Sequence, residues 1–183
     1  MLFSNRKKQL FSAFFYFIAF SGLWYLHDQN VVHGDIKPQN VLLSYNKKNV
    51  KICDFGVSRI KASKQATRTC TSRHTGTEGM AAPEVLLQKV RCNRHTDIWS
   101  FAATLVELFV QKEPWNKAEA GDIVQGEYLR ALMKEKLLPH NLHLVEEQDA
   151  DVHRQLTAMF SYKPSDRPTA HDVCSFFRGE DSD

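Results

Sequence analysis

Two long stretches of this chain carry almost no charge, and any fold it adopts has to bury both. Leu10–Leu26 reads LFSAFFYFIAFSGLWYL, 17 positions without a charged side chain, and Asp97–Val110 reads DIWSFAATLVELFV, apolar almost all round. A helix that is apolar on every side belongs inside a protein core or a bilayer, whereas a surface helix shows a single apolar stripe. Arg6, Lys7 and Lys8 precede the first stretch, which gives it the outline of a signal peptide or anchor. It falls short of the roughly 18–20 apolar residues that span a membrane, and no convincing small-x-small cleavage site stands before His27. Two buried helices are therefore expected, the second capped by Asp97. Membrane association through Leu10–Leu26 is the alternative to a cytoplasmic location.

Composition narrows the class further. With 183 residues, 43% hydrophobic and 25% charged, the chain is long enough for one well-filled domain and too apolar to stay disordered. Its four cysteines, at 53, 70, 92 and 174, form no CxxC pair, which excludes a disulfide-stapled miniprotein and a zinc ribbon and points to a reducing compartment. Residues 1–110 hold 15 basic and 7 acidic side chains, whereas 111–183 hold 9 and 14. The basic half would attract anions. Nucleic acid is not an expected partner, because the aromatics sit in apolar runs and are not interleaved with the basic residues.

No repeat, linker or composition break divides the chain, so one domain over residues 10–177 is expected, between an N-terminal segment (1–9) and an acidic tail (178–183). The runs Val41–Leu43 and Val50–Ile52 flank Ser44-Tyr45-Asn46-Lys47-Lys48-Asn49, a turn-rich connection that predicts a β-hairpin. Ser58–Gly79 is too poor in apolar residues to pack and reads as a surface loop. Helices are predicted from Pro83-Glu84 towards Leu87, over Asp122–Leu138 and Asp151–Phe160, and from a Thr169 cap through Phe177. Lys163–Pro168 reads as a tight loop. Trp99 is expected in the core, Cys53 as a packed thiol, and His140 and His143 on the surface. The architecture expected is mainly α with a single small hairpin.

That hairpin makes a geometric prediction. Antiparallel strands bring the residues just beyond them side by side, so Asn40 meets Cys53-Asp54 at one mouth, with Asp35 and Lys37 on the loop leading in. An amide oxygen and a carboxylate form a hard-cation site of the kind Mg²⁺ uses when substrate phosphates and water complete its shell. A further carboxylate could accept a proton while an ammonium neutralises a phosphoryl oxygen.

On these residues the chain resembles the eukaryotic protein kinases. His33-Gly34-Asp35-Ile36-Lys37-Pro38-Gln39-Asn40 looks like the family's catalytic loop, Asp54-Phe55-Gly56 like its metal-binding motif, and Ala82-Pro83-Glu84 like the end of its activation segment. Asp97-Ile98-Trp99-Ser100 and the Arg167-Pro168 pair follow in the family's order. The resemblance covers about residues 10–177 and implies a protein-kinase-like C-terminal lobe with the N-terminal lobe absent. It implies ATP and Mg²⁺ as cofactors, with Asp35 as the acceptor of the substrate hydroxyl proton, Lys37 at the γ-phosphate, and Asn40 and Asp54 on the metal. His33 and Phe55 would stack beneath the site, with Gly56 completing the metal motif. Glu84 and Arg167 would form a buried ion pair, and Asp97 would brace the catalytic loop through its backbone. Lys37 together with Gly76-Thr77 is similar to serine/threonine kinases, where Thr77 would hydrogen-bond Asp35 and Lys37. The string Gly76-Thr77-x-x-Met80-Ala81-Ala82-Pro83-Glu84 points towards MAP-kinase-type cascades.

Three departures qualify the resemblance. Gly34 stands where most of the family has Arg, which removes a ligand for an activation-loop phosphate unless Arg59 and Lys61 replace it. Activation is therefore expected not to require phosphate on Thr67, Thr69, Thr71, Ser72 or Thr75. Ala102 replaces a usual Gly in the central helix, where it should be tolerated. No glycine-rich loop or Val-Ala-x-Lys strand occurs in the sequence. Poor activity of the chain alone is expected, along with protein substrates bearing Ser or Thr and a partner supplying or covering the small-lobe interface. The alternative is a one-lobed pseudokinase acting as a scaffold or binding module.

Overall fold

Local capping signals set where the helices begin. A computed structural model of the chain describes residues 5–46, 49–60, 78–116 and 125–179, with side chains from Phe17 onward in the first helix and from Gly126 in the fourth. Helix α1 spans Asn5–Asp28, α2 Pro83–Gln88, α3 Arg94–Val110, α4 Gln125–Lys134, α5 His143–Glu146, α6 Ala150–Met159 and α7 Ala170–Arg178. Asn93 caps α3: its side chain accepts from the His95 and Thr96 amides, while Thr96 Oγ1 accepts from the Asn93 amide. Thr169 and Asp172 close the same reciprocal box on α7, and Asp149 caps α6.

The expectation that Asp97 caps the central helix is corrected. The helix starts three residues earlier, at Arg94, and the Asp97 carboxylate is taken up by the loop after α1. The helix predicted over Asp122–Leu138 is described from Gln125 to Lys134. A further short helical stretch, His140–Glu146, was not anticipated.

Strands β2 (Val41–Leu43) and β3 (Val50–Ile52) form the predicted hairpin, with Val41 opposite Ile52 and Leu43 opposite Val50. A second antiparallel pair corrects the reading of a single hairpin. It joins β1 (Val31–Val32) to β4 (Arg59–Ile60), so the segment read as a loop from Ser58 begins with a strand. Residues 61–77 of that segment and the acidic tail beyond Gly179 lie outside the described residues.

The core is built around α3. Trp99, Phe101, Ala102 and Leu105 are completely buried there, and Trp99 meets Phe160 of the α6 end edge-on at 5.0 Å. Phe20 of α1 packs edge-on against Phe101 at 4.7 Å and stacks on Phe177 of α7 at 6.1 Å, tying the first, central and last helices together. Aromatic pairs of this kind add about 0.5–1.5 kcal/mol each beyond the area they bury.

Burial of α1 on all sides is also corrected. Ala19, Phe20, Leu23 and His27 are buried, while Tyr25 is 65% exposed and Trp24 36%. The large aromatics that make the segment look uniformly apolar can sit half in water, which an apolar count does not register. Among the described residues no helix is long and apolar enough to cross a membrane.

Candidate active site

The loop from His33 to Asn40 is held by its backbone. The His33 and Gly34 amides donate to Asp97 Oδ2 and Oδ1, each at 2.9 Å, and His27 Nε2 donates to Oδ2 at 3.0 Å. Asp97 is 1% exposed, so these three bonds are what balance the desolvation of its charge. Gly34 adopts φ 78°, a left-handed conformation that glycine takes without a Cβ penalty.

His33, fully buried, joins this loop to the exit of the hairpin. Its Nδ1 accepts from the Asp35 amide at 3.3 Å, so Nε2 carries the hydrogen given to the Cys53 carbonyl at 3.0 Å. Its ring meets Phe55 edge-on at 5.1 Å. Phe55 itself is 47% exposed, so the outer ring of the pair reaches the surface of the lobe while His33 stays buried.

Asp35, Lys37 and Asn40 form one cluster. Lys37 Nζ donates to Asp35 Oδ2 at 2.7 Å, and Asn40 Nδ2 donates to the Asp35 carbonyl at 2.8 Å and to Oδ2 at 3.4 Å. Asp35 Oδ1 has no partner among the described residues. Pro38 opens the short 3₁₀ turn that ends at Asn40 and aims its side chain back at Asp35.

The hairpin mouth closes as the pairing requires: the Cys53 amide donates to the Asn40 carbonyl at 2.9 Å, and Asp54 follows directly. Asp54 is exposed and left-handed at φ 64°, with Oδ1 accepting from the Gly56 amide at 3.2 Å. A Cβ on residue 56 would stand 3.1 Å from that oxygen, so the position suits glycine. A non-glycine residue in this conformation costs about 1–3 kcal/mol and is concentrated at functional positions.

Behind the cluster, segment 80–85 abuts the His33–Asn40 loop across a cavity of about 30 Å³ bordered by Asp35, Met80 and Ala82. Glu84 and Arg167 share two bonds of 2.8 Å, and Arg167 also donates to the carbonyls of His95 and Ser161. Burial and the Arg167 charge hold the His95 imidazole below its usual pKa.

Several contributors were not visible in the sequence reading. His27 is the third donor to Asp97; a histidine ending an apolar helix was its only signal. Trp115 Nε1 donates to the Gly79 carbonyl at 3.0 Å, and the Arg167 guanidinium lies over the Trp99 ring at 5.0 Å. His140, expected on the surface, is half-buried beside Trp115 and Tyr128, while His143 is exposed. Thr77, Lys61 and the hydroxyls at 67, 69, 71, 72 and 75 lie outside the described residues.

A helical lobe that carries an acid–lysine–amide loop beside a second exposed acid is the large lobe of a phosphotransferase of the kinase type. The chain belongs to the protein kinase domain family, whose pattern it matches over residues 6–176. It is 31% identical over 153 residues to human serine/threonine-protein kinase Nek5, covering 83% of this chain and 20% of that one. Mouse mitogen-activated protein kinase kinase kinase 15 is 33% identical, over 83% of this chain and 11% of its own. Arabidopsis thaliana mitogen-activated protein kinase 16 is 31% identical, over 91% and 33%. The chain thus spans a third or less of the length of these relatives.

Proposed function

We propose that the chain carries the phosphoryl-transfer site of a cytoplasmic serine/threonine protein kinase in a MAP-kinase-type signalling cascade, using ATP and Mg²⁺ and acting on protein hydroxyls. The observation that carries this reading is the asymmetry of Asp35. One carboxylate oxygen is held by Lys37 and Asn40 while the other has no partner among the described residues, which suits a group that must accept a proton from an incoming hydroxyl.

The residues fit Mg²⁺·ATP. Tying Asn40 Nδ2 to Asp35 reserves its amide oxygen for a hard cation, and Asp54 offers an exposed carboxylate whose second oxygen no described residue occupies. Asn40 and Asp54 would hold the metal, which when bound neutralises phosphate charge. Asp35 Oδ1 takes the hydroxyl proton. Lys37 fixes the other oxygen and places a cation beside the acceptor, where negative charge grows. His33 and Asp97 keep the loop in register so that the acceptor oxygen does not wander.

The test is transfer of labelled phosphate from ATP to Ser/Thr protein substrates, comparing the chain with Asp35→Asn. Activity of the chain alone is expected to be low. Asp35→Asn should lower it by a further factor of about 10²–10⁴; an unchanged rate would contradict the assignment.

A second reading is favoured by one feature. Leu42, Leu43, Phe55 and Val57 are 40–51% exposed around the hairpin and metal motif, an apolar surface suited to a covering partner. On that reading the chain works as a scaffold, and partner binding survives Asp35→Asn.

A further inference from the structure

A cleft of about 370 Å³ opens between the end of α1, the start of α3 and the start of α7, and none of the proposed catalytic residues lines it. Its apolar wall is formed by Trp24, Ile98 and Pro168, with the Trp24 and His171 rings edge-on at 4.7 Å. Two opposite charges border it, and neither has an ion-pair partner among the described residues. There, Arg94 Nη2 donates to the amide oxygen of Asn30, at 2.9 Å, and Asp28 accepts from the Gln29 side-chain amide, at 3.1 Å. His27 also lines the cleft although it is only 6% exposed. Its Nε2 is committed to Asp97, and its Nδ1 has no partner among the described residues.

The volume falls in the range of small-molecule sites, which are mostly apolar with a few polar anchors. A free cation, a free anion and an aromatic wall in one cleft complement a ligand that holds the same three elements. We propose that this cleft binds a small aromatic zwitterion of the α-amino-acid class, with its ring against Trp24, its carboxylate on Arg94 and its ammonium on Asp28. Occupancy reaches the catalytic loop by a short route. His27 shares Asp97 Oδ2 with the His33 amide, so a ligand that draws on the imidazole alters the bond that seats the loop. The binding site itself does not rest on the kinase assignment.

The experiment is an amide NMR titration of the full 183-residue chain with L-tryptophan, alongside N-acetyl-L-tryptophan, which lacks the ammonium, and tryptamine, which lacks the carboxylate. Saturable shifts at Arg94, Ala170 and His171 with a Kd on the order of 1 mM are expected, accompanied by smaller shifts at His33 and Gly34. The two analogues should bind about tenfold more weakly, as should L-tryptophan to Trp24→Ala, Arg94→Ala and Asp28→Ala. Because those three side chains are exposed, an unchanged spectrum elsewhere verifies that each variant is folded. Failure to saturate, equal binding of the analogues, or full binding by the variants would overturn the proposal. Binding that leaves His33 and Gly34 unmoved would overturn the link to the loop.

Discussion

Arg167 closes a fork-to-fork pair with Glu84 across 83 positions of sequence, both side chains almost fully buried. Two further guanidinium hydrogens go to the His95 and Ser161 carbonyls, so four of the five N–H donors are bonded within the protein. Removing either partner strands a buried charge. Glu84→Ala or Arg167→Ala should each cost about 3–5 kcal/mol in urea unfolding, with the double variant losing far less than the sum. Arg167→Lys should fare little better, because an ammonium cannot span both carboxylate oxygens.

Asp97→Asn keeps the shape of the side chain but turns an N–H₂ towards one of three donors. Charge-assisted bonds of this type contribute about 1.5–3 kcal/mol each. Faster hydrogen exchange at the His33 and Gly34 amides is expected, together with loss of phosphotransfer, while exchange in α6 stays slow. Unchanged protection at His33 would show that Asp97 does not hold the loop.

Gly34→Arg restores the side chain most kinases carry at this position, yet places a Cβ on a backbone at φ 78°. The left-handed conformation costs roughly 1–2 kcal/mol for a residue with a Cβ. A loss of stability of about that size in denaturant titration is the expected outcome; a gain would mean that the new guanidinium finds an anion worth more than the strain.

Alkaline pH should probe Tyr162. Burial pushes its phenol up to about 12, and its hydroxyl donates to the Leu137 carbonyl at 2.6 Å. The folded state therefore keeps a proton that the unfolded chain releases near pH 10. The resulting stabilisation is complete below about pH 10 and is lost as pH rises towards 12. Phenolate absorbance should show a tyrosine step near pH 12, and Tyr162→Phe should remove that step.

How far the sequence reaches can be seen element by element. The β2–β3 hairpin was legible to the residue because a turn-rich hexapeptide separates two short runs that each open on Val, and hairpin pairing then puts Asn40 beside Cys53. The β1–β4 pair was not legible: two residues on each side carry no periodicity, and their partners lie far apart in the chain. Asp97 looked like a cap because Asp is a good one, but Asn93 with Thr96 makes a full capping box and frees Asp97 for the loop. Trp24 and Tyr25 misled in the other direction, since aromatic residues count as apolar wherever they sit. The motifs picked out Asp35, Lys37 and Asn40, which the fold does cluster; the role of His27 depended on a contact across 70 positions that no local pattern encodes.

The most direct test of the proposed phosphoryl-transfer site asks where a divalent ion and nucleotide sit together. With Mn²⁺ in place of Mg²⁺, paramagnetic broadening should strike the Asn40 side-chain amide and the Asp54 and Gly56 backbone amides first, and only when ATP is present. Asn40→Ala and Asp54→Ala should each abolish it. Broadening that ignores ATP, or that centres on another face of the lobe, would contradict the assignment of this site.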